Sequence, residues 1–269
     1  MKQLQTSLFF ALLTMIFSCN NTGSGDNSIT NTAEENSNRV RSLSYSLIAT
    51  YPHDSSSYTQ GLQFYKGRLF EGTGQYGSSS LLEADLRTGK RKKSIALDRR
   101  FFGEGITIVN DTLYQLTWRE QKIFVYTLDL KKIKEFDIDK EGWGLTFNGK
   151  ELILSNGSGE LFFYDPTDFR LVRTQLVTEA GSPSYNLNEL EFAEGYIYAN
   201  QYTSPYILKI DPATGLVVAK ADITNLWNQS RQLYPQAEVP NGIAYDATTK
   251  KFYVTGKWWP QLYELQFSQ

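Results

Sequence analysis

The chain has 269 residues, 29 of them acidic and 27 basic, and a net charge of −2 offers no electrostatic footprint for nucleic acid or another polyanion. One Cys (Cys19) and one His (His53) exclude an intrachain disulfide and all but exclude zinc held by His and Cys. Seventeen Tyr and sixteen Phe against two Met fit an aromatic-rich β protein.

Residues 1–19 read as a leader outside the fold. Lys2 gives a basic start, Leu8 to Phe17 form an apolar run too short to cross a membrane, and Ile16-Phe17-Ser18-Cys19 resembles a bacterial lipoprotein processing box. Cys19 would become the lipid-modified first residue; a plain secretory signal is the competing reading. Residues 20–42 are rich in Asn, Ser, Thr and Gly and lack apolar periodicity, so they read as a flexible tether. The expected location is the bacterial cell envelope, lipid-anchored, with membrane contact through the acyl chains alone.

Residues 43–269 number 227, enough for one domain with a substantial core. Tyr45 to Tyr51 alternates as a strand, and His53 follows in Tyr51-Pro52-His53-Asp54, read as a surface turn. A signature, polar residue–Gly–Leu/Ile, then recurs: Gln60-Gly61-Leu62, Glu104-Gly105-Ile106, Trp143-Gly144-Leu145 and Asn241-Gly242-Ile243, with Asn188-Glu189-Leu190 as a degenerate member. Between the marks 61, 105, 144, 189 and 242 the steps are 44, 39, 45 and 53 residues. After each mark come alternating strands such as Leu69-Phe70-Glu71, Leu113-Tyr114-Gln115 and Ile197-Tyr198-Ala199, and turns such as Arg87-Thr88-Gly89-Lys90. The longest step carries residues 223–239, read as a short helix over one face.

Steps of this size filled with short strands predict an all-β, five-bladed β-propeller. Six blades is the alternative. The last repeat runs out at Gln269 before its outer strand, so the strand at Tyr45–Tyr51 is expected to close that blade. Radial repetition brings the residue before each mark to one axis: Gln60, Glu104, Trp143, Asn188 and Asn241. Positions 12–15 residues after four of the marks return to the same end: Trp118, Asn156, Tyr202 and Lys257. One acid, one ammonium, several amides and large aromatic faces are suited to gripping a small polar group.

Tyr58-Thr59-Gln60-Gly61-Leu62, Phe102-Gly103-Glu104-Gly105-Ile106, Gly142-Trp143-Gly144-Leu145, Asn188-Glu189-Leu190-Glu191 and Thr255-Gly256-Lys257-Trp258-Trp259-Pro260 together resemble glutaminyl-peptide cyclotransferase of the plant and bacterial type, over nearly all of residues 43–267. That resemblance implies a five-bladed propeller that cyclises an N-terminal glutamine of peptides or proteins to pyroglutamate with loss of ammonia, without a metal. It further implies Glu104 as catalytic acid/base, Gln60, Asn188 and Lys257 as polar pocket residues, and Trp118 and Trp143 as aromatic walls. Tyr58 and Tyr202 stand where the family more often has Phe and Trp, each keeping an aromatic face. No cofactor is expected, a structural calcium ion being left open, and nothing suggests more than a monomer. The rival readings are a tethered propeller that binds a peptide or glycan without catalysis, and a calcium-dependent hydrolase.

Overall fold

The computed structural model describes residues 40–268. The expected leader with Cys19 and most of the tether lie outside the described residues. Five antiparallel sheets follow one another along the chain, each with its first strand innermost. Blade 1 has its innermost strand at Thr59–Tyr65 and its outermost at Arg91–Ala96; blade 2 runs from Gly103–Val109 to Lys132–Asp137. Blade 3 runs from Leu145–Phe147 to Leu171–Leu176, and blade 4 from Leu187–Ala193 to Val217–Asp222. Blade 5 takes Pro240–Asp246, Lys251–Gly256 and Gln261–Ser268 from the end of the chain, and its fourth strand, Ser44–Pro52, from the beginning. The innermost strands touch in a closed ring, blade 1 to 2, 3, 4, 5 and back to 1. This is the predicted five-bladed propeller.

Period-two alternation builds the core. Successive side chains of a strand point to opposite faces, and each face meets a different neighbouring blade. Phe70 and Leu81 join the cluster between blades 1 and 2, while Leu69 and Leu82, one residue away, join the cluster between blades 5 and 1. The other three inter-blade clusters are formed in the same way. Fully burying one such Leu or Phe contributes about 1.5–3 kcal/mol. Outer strands such as Arg91–Ala96 are mostly exposed, which matches their charged sequence.

The glycine of the signature has a steric cause. A Cβ on Gly61 would lie 2.5 Å from the Ile106 nitrogen, one on Gly105 2.6 Å from Leu145 nitrogen, and one on Gly144 2.0 Å from the Asn188 oxygen. At these three marks the inner strand abuts the backbone of the next, and no side chain fits between them. Glu189 replaces glycine in the fourth repeat, and its side chain serves the hub instead. Its carboxyl accepts the N–H of Leu62 (3.2 Å) and of Ile243 (2.8 Å), linking blade 4 to blades 1 and 5.

Closure at blade 5 follows the expected strand: Ser44 pairs with Ser268 and Pro52 with Gln261. The described strands reach slightly into the expected tether. Arg41–Ser42 pairs in parallel with Ala219 and Lys220 on the outer edge of blade 4, and buried Leu43 anchors it. The 223–239 segment contains one helix, α1 (Thr224–Leu233).

His53 corrects the sequence reading. Its side chain is 4% exposed, not part of an open surface turn. One ring nitrogen meets the Trp259 carbonyl at 2.7 Å and the other meets Glu71 Oε1 at 3.2 Å. Glu71 also accepts the Thr59 hydroxyl at 2.7 Å. Blade closure brings residues far apart in sequence around the ring, and local turn chemistry gives no sign of it.

Candidate active site

At the end of the axis where the innermost strands begin lies a cavity of about 200 Å³. Gln60, Glu104, Trp143 and Asn188 reach it from the starts of blades 1 to 4, and Trp118, Tyr202 and Lys257 from the far ends of the second strands. Seven of the nine positions expected around the axis thus share one cavity. Tyr58, Phe102 and Gln75 complete the wall.

Glu104 is 4% exposed, and its Oε2 has no hydrogen-bond partner. Burial pushes its carboxyl well above the ordinary range; Lys257 pulls it down, and Glu120 and Glu141 push it up further. Lys257 is 3% exposed and feels the opposite pressure. Burial lowers its ammonium below the usual lysine range, while Glu104 and Glu238 raise it. Its Nζ lies 4.6 Å from the Tyr58 ring centroid and 4.8 Å from that of Tyr202, so two π faces hold the cation. Trp143 meets Tyr202 edge-on at 5.8 Å, and Phe102 meets Trp118 at 5.5 Å, giving the cavity apolar sides. Gly157 makes room for the Trp143 indole, because a Cβ there would come within 2.5 Å of the ring.

Gln60 is fixed from behind. Asn241 donates from Nδ2 to Gln60 Oε1 (2.9 Å) and to the Thr59 carbonyl (3.0 Å). That acceptor is occupied, so the Gln60 amide presents its Nε2 as a donor. Asn241 is fully buried and is a support of the ring, not a member of it. Asn156 is also absent from the cavity wall. Its Oδ1 accepts the backbone N–H of Ser158 (3.2 Å) and the Ser158 hydroxyl (2.6 Å), a local turn that holds the side chain away. Asn188 keeps Oδ1 buried and without a partner, as Trp143 does Nε1.

Three wall residues were not among the expected site positions. Gln75 lies 14 residues after Gly61, inside the 12–15 offset used for the other repeats, so the spacing rule extended to blade 1 reaches it. Its φ of 98° is a conformation that non-glycine residues rarely adopt, and such positions gather at functional sites. Tyr58 and Phe102 each sit two residues before a signature polar residue and form the rim through an edge contact at 6.2 Å.

Residues 22–267 match the family model described as glutamine cyclotransferase. The chain belongs to the glutamine cyclotransferase family. A relative within reach of this family, the glutaminyl-peptide cyclotransferase of Arabidopsis thaliana, is 38% identical over 231 residues, which covers 83% of this chain and 71% of the relative. The crystal structure of Myxococcus xanthus glutaminyl cyclase superposes with a TM-score of 0.81 at 34% identity, covering 86% of this chain and 99% of that one. This glutamine cyclotransferase carries its buried acid and its buried lysine in the wall of one aromatic cavity.

Proposed function

We propose that this protein converts the N-terminal glutamine of peptides and proteins to pyroglutamate, with release of ammonia and no metal in the reaction. The observation that carries this reading is the set of unpaired polar atoms at the cavity wall. Glu104 Oε2 and Asn188 Oδ1 await donors, and Trp143 Nε1 awaits an acceptor. An N-terminal glutamine supplies the counterparts: an α-amine and a carboxamide NH₂ to donate, and a γ-carbonyl to accept. A ligand that offers a partner to all three is favoured over one that leaves a buried polar group unpaired.

The reaction follows from this placement. The α-amine nitrogen attacks the γ-carbonyl carbon, a carbon–nitrogen bond forms, and the amine proton passes to Glu104. Glu104 returns that proton to the carboxamide nitrogen, whose bond to carbon breaks as ammonia leaves. The carboxyl ends in its starting state. Burial raises the Glu104 carboxyl above the ordinary carboxylate range, which makes it a better proton acceptor from the attacking amine while leaving it able to return the proton. Aromatic walls that hold the glutamine side chain folded towards its own amine supply orientation, worth several kcal/mol. Lys257 and the Gln60 amide donate to the oxyanion that develops on the γ-oxygen. The names of the two relatives support the same activity.

The test is ammonia release from a short glutamine peptide, with the peptide's mass loss followed in parallel, in the presence of EDTA. Glu104→Gln is expected to lower kcat/KM by about 10²–10⁴, the contribution of a general acid/base. Inactivity of well-folded wild type without EDTA overturns the cyclase reading. Activity lost only on chelation overturns metal independence.

A further inference from the structure

The crossing from blade 4 to blade 5 is longer than the other three, 53 residues from Glu189 to Gly242 against 39 to 45 elsewhere. Its surplus forms α1 and the turn after it, which the propeller does not need in order to close a blade. Between that insertion and blade 5 lies a groove of about 480 Å³, lined by Trp227 and Arg231 of α1, Pro235 and Glu238 of the turn, and Trp258. The groove adjoins the active site. Trp258 follows Lys257, and its ring lies 4.8 Å from that of Tyr58, so the Tyr58–Trp258 pair is a wall common to both cavities. Glu238 sits on the same boundary. Its N–H donates to the Lys257 carbonyl at 2.9 Å, and its carboxylate acts on both the Tyr58 hydroxyl and the Lys257 ammonium. Trp258 presents its indole from a left-handed backbone, φ 60°, a conformation that is strained for a bulky residue.

A peptide substrate needs such a surface. The inner cavity has room for the glutamine, and the chain that follows must leave across the rim, advancing about 3.3–3.6 Å per residue. The residues that follow the glutamine carry it past the Tyr58–Trp258 wall into the groove. Resting on the cyclase reading, we propose that this groove is the subsite for residues two to four of the substrate peptide. The geometry favours an aromatic or large apolar side chain there, seated between the Trp227 and Trp258 indoles. Arg231 and Glu238 carry opposite charges, so the groove has no net charge and selects by apolar contact.

The experiment compares kcat/KM for glutamine amide, Gln-Ala-Ala-Ala amide and Gln-Phe-Ala-Ala amide, using the full chain. In wild type the phenylalanine peptide is expected to exceed glutamine amide by about tenfold, because binding energy from a remote, non-reacting part of the substrate is recruited to the reaction. Trp227→Ala should reduce that ratio to about twofold or less, and the alanine peptide should show a smaller advantage throughout. Trp227 packs against the core, so Gln236→Trp provides the second variant: Gln236 is exposed and a bulky ring there fills the groove. Equal kcat/KM for all three substrates in wild type, or a ratio unchanged in both variants, overturns the subsite while the cyclase reading stands. No turnover of any of them removes the cyclase reading, and the subsite with it.

Discussion

At the scale of single residues, Glu104 and Lys257 set each other's protonation across the cavity. Burial drives both towards their neutral forms, and each restores part of the other's charge. Removing the lysine cation therefore lets the Glu104 pKa rise further. In Lys257→Met the acidic limb of the kcat/KM profile should move to higher pH, and kcat should fall by about 10²-fold as an oxyanion donor is lost. A pH–rate series on wild type and variant checks both; a limb that stays in place would show that Lys257 does not act on Glu104. Gln60, Glu104, Trp143 and Asn188 were legible in the sequence because each precedes a repeating mark. Lys257, Trp118 and Tyr202 were legible from an offset of 13 to 15 residues after a mark. His53 and Asn156 were misread for opposite reasons. The first is captured by Trp259, 206 residues on, and by Glu71 of the neighbouring blade, the second by a serine two residues on.

Among the elements, the inner strands explain the signature. Blade-to-blade contact at Gly61, Gly105 and Gly144 is backbone against backbone, so the glycine marks the tightest part of the hub, not a flexible turn. Gly144→Ala places a methyl 2.0 Å from the Asn188 carbonyl oxygen and must move that strand. The expected cost is about 3 kcal/mol, seen as a lower urea midpoint at unchanged slope, with activity reduced because Asn188 shifts with its backbone. A variant as stable as wild type would mean that the strands have slack. The fourth repeat lacks the glycine because Glu189 uses its side chain to bind Leu62 and Ile243 across the hub, a role that the pattern alone could not reveal.

For the whole molecule, closure and pH are linked through His53. Its imidazolium joins the Trp259 turn of blade 5 to Glu71 of blade 1, with Asp54 adding a second negative field. Burial opposes the charge, but Glu71 and the Trp259 carbonyl outweigh it, and the pKa stands above the ordinary 6.5. Such a group stabilises the fold fully below about pH 6.5, and that contribution is lost as pH rises through the folded value. Glu189 acts in the same direction. Burial holds its carboxyl at about 8 against an ordinary 4.5, so ionisation costs stability over that interval. The thermal midpoint should accordingly fall as pH rises from about 4.5 to about 8, with His53 adding to the loss above about 6.5. His53→Ala should lose about 3 kcal/mol at the lower pH and show a shallower decline, since the paired charge is gone. Parallel curves for wild type and variant would rule out His53 as a source of the pH dependence.

The sequence by itself determined the five blades, the closing strand and most of the cavity wall. Repeat spacing and period-two alternation are local patterns, and radial symmetry converts equal positions in the chain into neighbours in space. Only the tertiary structure decided which polar residue faces the cavity and which supports it from behind. Gln60 and Asn241 occupy the same signature position, yet Asn241 donates to Gln60 and lies outside the wall. It likewise decided that His53 is buried and that the surplus residues of the last crossing form a groove beside the site. Those outcomes depend on which side chains from distant blades meet, and the linear pattern carries no record of that.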